Sequence, residues 1–132
     1  MATYNKFQSW VQYKNEGANC GTDQFAVALT NSAPVATNSV LADITQISYT
    51  NLSSRNVTTT SSSQTGGIYT LVLADLTLTA TGSVGPFQYA VLFDDTVAGD
   101  PLVGWWDYGS SITMASGQTF LIDFTGPAMT ES

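Results

Sequence analysis

The sequence has no histidine, one cysteine and only three basic residues, and each shortage removes a class of function. Without imidazole, the commonest general base and the commonest neutral metal ligand are missing. Neither a Ser-His-Asp nor a Cys-His arrangement can be assembled from this chain. Cys20 stands alone, which excludes an intrachain disulfide and a cysteine metal cluster. As a nucleophile it would need an activating neighbour, and Lys14 is the only cation near it in sequence. It reads as a packed or incidental thiol. Lys6, Lys14 and Arg55 face ten acids, for a formal net charge of −7. Three dispersed cations cannot form the basic patch that releases counterions from phosphates, so nucleic acid is not an expected partner. An anionic membrane surface is disfavoured for the same reason. No segment approaches the roughly 20 apolar residues of a spanning helix, and Met1 to Trp10 lacks the basic start and apolar run of a secretory signal. No glycine loop suited to phosphate is present; Gly82 and Gly85 fall in a turn. No cofactor, metal site or catalytic set is expected, and the composition reads as a soluble chain made in a reducing cytoplasm.

What is present is apolar surface. Of the 132 residues, 43% are hydrophobic and 11% aromatic, ample for one core without disulfides or metal. Residues 1–132 read as one domain. Residues 3 to 16 read as a helix, because Tyr4, Phe7, Trp10 and Val11 recur at spacings of three and four. Thr3 would cap it and Glu16-Gly17 would end it. Residues 1–16 are thus a helix that plugs one end of a sandwich, or a docking arm.

From Asp23 the period becomes two. Phe25, Val27 and Leu29 mark a half-buried strand. Asn31 to Asn38 reads as a loop, and Val40 to Ile47 as a short apolar segment of open type. Residues 48–67 are rich in Ser and Thr, which suits a surface loop or an exposed edge strand. Tyr69, Leu71 and Leu73 are odd-numbered, whereas Leu76, Leu78 and Ala80 are even-numbered. A strand cannot change parity without turning its apolar face to water, so a bulge or corner is expected at Ala74-Asp75. Such corners pass a chain from one sheet of a sandwich to the other. Phe87, Tyr89, Val91 and Phe93 form the strongest alternating strand, with Ala90 and Leu92 on its second face suggesting a central position. Leu102 to Tyr108 is strand-like, Gly109-Ser110-Ser111 interrupts it, and Ile112 and Met114 resume it. A last strand carries Phe120, Ile122 and Phe124. The fold class is all-β and mainly antiparallel, a β-sandwich of jelly-roll-like or Greek-key winding with one N-terminal helix.

Two clusters could carry function. Asp94, Asp95, Asp100 and Asp107 lie close in sequence; solvated turns, a calcium loop and paired glycosidase carboxylates are the alternatives. Trp105, Trp106 and Tyr108 are the conspicuous aromatics. Adjacent strand residues face opposite ways, so Trp105 and Trp106 cannot both enter one core. The outer one serves a subunit interface, a sugar-stacking platform, or a loop folded over it. Tyr4, Phe7, Trp10, Trp105, Trp106 and Tyr108 are the candidate interface residues.

Three stretches carry a resemblance: "FAVALTNSAP" (Phe25 to Pro34), "YTLVLADLTLTATGSVGPFQYAVLFDD" (Tyr69 to Asp95) and "DPLVGWWDYGSSITMASGQTFLIDF" (Asp100 to Phe124). Together with the opening "ATYNKFQSWV", the chain resembles small virion structural proteins of tailed bacteriophages. The resemblance implies a non-enzymatic component of the particle, a capsid decoration or cement protein. It implies a small β-rich subunit, often a homotrimer, made in the bacterial cytoplasm and bound to the major capsid protein on the outside of the expanded shell. The alternative is a tail or fibre component with a carbohydrate-binding β-sandwich.

Overall fold

The computed structural model describes residues 3–16, 19–124 and 129–131. In chain order the elements are β1 (Thr3–Lys6), α1 (Trp10–Glu16), β2 (Phe25–Thr30), a 3-10 turn (Leu41–Asp43), β3 (Asn56–Val57), β4 (Thr59–Thr65), β5 (Ile68–Leu73), β6 (Leu76–Thr79), β7 (Val84–Asp94), β8 (Leu102–Met114), β9 (Thr119–Ile122) and β10 (Met129–Glu131). A five-stranded sheet, β1-β8-β7-β2-β3, is joined by a three-stranded sheet, β10-β5-β4, and a pair, β6-β9. Every ladder is antiparallel. The architecture is all-β and sandwich-like with one short helix, as the alternation and turn spacing predict. Among the described residues no helix is long and apolar enough to cross a membrane.

The central strands are buried on both faces. All six residues of β2 are buried. Phe25, Val27 and Leu29 face the main core with Ala90 and Leu92 of β7, Leu71 and Leu73 of β5, Leu78 of β6 and Ile122 of β9. Ala26 and Ala28 turn the other way, into a second cluster with Val91, Phe93, Leu102, Phe7 and Ile44. A strand covered on two sides needs apolar residues at odd and even positions, and β2 and β7 supply them.

Breaks in register decide which aromatic goes where. The expected single face from Phe87 to Phe93 is split: Phe87 joins the main core and Phe93 the second cluster. Between Phe87 and Tyr89, β7 advances two residues while β8 advances from Ile112 back to Asp107, so the face changes there. The surplus residues of β8 include Gly109 at φ 85°, the interruption expected from the sequence. Val103 and Gly104 together oppose Leu92, a bulge that keeps Val103 and Trp106 in the main core.

The expected corner is present. β5 pairs with β4 and β10, β6 pairs with β9, and Ala74-Asp75 joins them. Asp75 Oδ1 fixes the turn by accepting from the Phe124 amide at 2.9 Å. The Ser/Thr-rich stretch is largely strand: β4 is the exposed edge of its sheet.

The N-terminal expectation fails in its first half. Residues 3 to 6 are not helical but form β1, with Thr3 opposite Asp107 and Tyr4 opposite Trp106. Thr3 therefore stands in a strand rather than at a helix start, and α1 begins only at Trp10. Pairing with β8 outweighs a marginal helical repeat, because a short helix has little stability of its own. Nor is this segment a loose arm, for Phe7 and Trp10 are 0% and 1% exposed.

Gly104 admits β1. A Cβ there would run into the Tyr4 ring, which lies across it on its way to Trp106, 4.9 Å between centroids. Gly104→Ala should push Tyr4 off Trp106 at a cost of about 1 kcal/mol in urea unfolding. In a Tyr4→Ala background the same change should cost about half that or less, because the clash is gone.

Candidate functional site

The six candidate interface residues do not form one patch. Phe7, buried in the second cluster, packs on the half-buried Trp105 at 4.6 Å between centroids. Trp106 lies on the opposite face of β8, 9% exposed, edge-on to Phe124 at 5.2 Å. The opposite facing of the two tryptophans holds: Trp105 is half-buried against Phe7, and Trp106 is buried against Phe124 and Tyr4. Trp10 heads α1 and meets Phe25 edge-on at 6.2 Å. Tyr108 is half-buried at the far end of β8, edge-on to Phe120 at 5.0 Å. Burial, with Asp123 nearby, pushes its hydroxyl up to about 12. Of the six, Tyr4 is the most open, at 41% exposure.

The acidic residues also separate. Asp107 faces Tyr89 across β7, five residues from Asp94, or about 17 Å along the strand. Glycosidase carboxyls sit roughly 5–9.5 Å apart, so Asp94 and Asp107 are too distant. Asp107 is held below its ordinary value by hydrogen bonds from Gln88 Nε2 at 3.0 Å and the Gly109 amide at 2.8 Å. Asp100 adopts φ 52° before Pro101; burial and the Asp95 charge raise its pKa. Among the described residues, no three His, Cys, Asp or Glu side chains converge as a metal site. Cys20 is half-buried against the main core near Tyr69.

Asp94 is the exception to solvated acidity. It ends β7 opposite Phe25 and is 0% exposed. Its Oδ1 accepts from the Thr96 amide at 3.0 Å. Its buried Oδ2 has no hydrogen-bond partner among the described residues, and the Asp23 carboxyl lies nearby. Two carboxylates repel, so the neighbouring Asp23 adds to burial in favouring the protonated form of Asp94. Burial, then Asp23, push Asp94 up to about 7. Gln24 ties the turn before β2 to the end of β7, its backbone carbonyl accepting from the Asp95 amide at 2.8 Å and its backbone amide donating to Thr96 Oγ1 at 2.8 Å, while Asp23 Oδ2 accepts from the Asn19 amide at 3.0 Å. A sequence cue existed: Asp94 continues the core-facing parity of Ala90 and Leu92.

One groove was not anticipated. About 450 Å³ opens between β2, the end of β7 and residues 41–56, lined by Leu41, Gln46, Tyr49, Arg55, Phe93 and Asp95. Arg55 lies 3.5 Å over the Tyr49 ring and donates through Nη1 to the Val27 carbonyl at 2.8 Å. These bonds fasten the 46–56 segment to β2. A lone Arg carries no periodicity, so nothing in the sequence pointed to them.

The β4–β5 hairpin presents an uncharged, polar surface. From Thr60 to Ile68 every residue is exposed, and no charge or proline occurs from Asn56 to Ala74. Gly66 and Gly67, at φ 58° and 83°, make its two-residue turn.

No family model, curated protein or solved structure matches this chain. Function therefore has to be argued from these surfaces and from the sequence resemblance.

The carboxyl pair predicts a pH slope. With its folded pKa raised from 3.8 to about 7, Asp94 holds a proton that the unfolded chain has released. Stability should fall as pH rises from about 4 to 7, and the full cost should persist above that. Asp94→Asn keeps a neutral, hydrogen-bonding group there. By urea unfolding at pH 8 it should be more stable than the parent by about 2 kcal/mol, with a flatter profile between pH 4 and 7.

Proposed function

We propose that this chain is a non-catalytic structural component of a tailed-phage virion, a decoration protein on the capsid exterior that stabilises the shell. The observation that carries the reading is the outer edge of β4, which pairs with no strand among the described residues, set on a sandwich that buries many of its aromatic residues in its own packing. Such an edge offers backbone donors and acceptors to a neighbour and carries no charge. A shell protein works through surfaces held in fixed shape, and a sheet covered on both faces supplies that stiffness. The resemblance of Phe25 to Phe124 to small virion proteins supports the same reading, with the major capsid protein as partner. A sugar platform would need an open aromatic face. Trp106 is 9% exposed and Trp105 is half-buried with one side against Phe7, so neither presents the fully open face that the fibre reading needs.

The test is reconstitution. Purified protein added to expanded capsids lacking it should bind to a fixed stoichiometry and raise the temperature of shell rupture in calorimetry. Absence of binding at micromolar concentrations, or turnover of a substrate by the pure protein, would refute the proposal.

A further inference from the structure

We infer that the outer edge of β4 pairs with the same edge of a second copy of this chain, antiparallel about a two-fold axis through Ser63. The inference deepens the structural reading by naming one neighbour. It concerns the free protein, however, and is tested without capsids.

β4 is the longest edge strand among the described residues: seven residues, against four for β1 and two for β3. Edge strands are normally protected by charge, proline, a bulge or brevity. β1 is short and carries Lys6, and β3 is a stub flanked by Arg55. β4 has a bulge only at its start, where Thr60 falls out of register, so Ser61 to Thr65 runs regularly. It contains no charge and no proline.

The geometry fixes which groups are free. In a hairpin with a two-residue turn, the flanking pair, Thr65 and Ile68, is hydrogen-bonded, and bonded pairs alternate from there. Ser63 and Ser61 then direct their backbone groups to β5, while Ser62 and Gln64 direct theirs outward. An axis through Ser63 sets Ser62 of one copy against Gln64 of the other, so the outward groups satisfy each other.

Charge selects the occupant. At a net −7, two copies repel over most orientations. The stretch from Asn56 to Ala74 is charge-free, so two copies can meet along it without juxtaposing like charges. Antiparallel pairing of one edge with itself closes after two copies. Five paired residues bury well under the roughly 1,200 Å² of a stable interface, so the free dimer is weak. On a shell surface, local concentration would compensate.

Sedimentation equilibrium up to about 1 mM protein tests this, that range being where weak pairs associate. The wild type should approach twice its 14.0 kDa mass. Ser63→Glu sets two carboxylates face to face, and Gln64→Pro removes an outward N–H. Each should weaken the dimer roughly tenfold or more while far-UV circular dichroism stays unchanged. An equimolar mixture of Ser63→Glu and Ser63→Lys proteins should associate again. A wild type that stays monomeric throughout, a dimer indifferent to both variants, or a mixture that fails to associate would each overturn the inference. A monomer whose β4 amides gain exchange protection only on capsids would assign the edge to the capsid protein instead.

Discussion

The two-sided burial of the β2–β7–β8 sheet is the constraint from which the rest of the molecule follows. A sheet covered on one face leaves its other face free for ligands. Here Ala26, Ala28, Val91 and Phe93 would stand in water unless something lay over them. Phe7 and Ile44 are what the chain provides, which is why its first residues and the segment after β2 are integral. Tying them down needs polar fasteners in an otherwise apolar region. Backbone bonds from Gln8 to Ala36 and from Leu102 to Ser39 supply part of this. The Arg55 bond to Val27 holds the neighbouring segment.

Much of this was legible because strand parity is a strict rule. The switch from Leu73 to Leu76 required a corner, and the corner separates two sheets. Adjacent Trp105 and Trp106 had to part, and they do. What failed was reading across long range. Tyr4, Phe7 and Trp10 mimic a helical stripe, yet Tyr4 is fixed by pairing with Trp106, a residue a hundred positions away that no local window contains. The cover over each tryptophan was equally invisible, since periodicity reports that a face is apolar and not what buries it. Phe87 and Phe93 were assigned to one face because the surplus residues of β8 that change the face lie on the partner strand.

Asp94 shows the same limit in electrostatic form. An acid in a Gly-Pro-rich loop is a solvated turn by default. Asp94 is buried opposite Phe25, and Asp23, two residues before that partner, adds to the rise in its pKa. The cost is borne where the start of β2 meets the end of β7, the seam that holds the main sheet together. A buried carboxyl that holds its proton makes the seam sensitive to pH.

The hairpin is governed by the opposite balance. β4 contributes almost nothing to either cluster, and its own residues have weak reason to be a strand. It is ordered because β5 anchors through Leu71 and Leu73 and carries β4 along its ladder. A strand held by one side only has a second row of backbone groups whose satisfaction costs the core nothing. Ser and Thr keep that row soluble without charging it. A protein selected only to remain a monomer would gain from a lysine there, because one charge deters edge pairing at little cost to the hairpin. Its absence along the whole of β4, in a chain whose charges are mostly carboxylates, sets this edge apart from the shorter edges that carry or adjoin a cation.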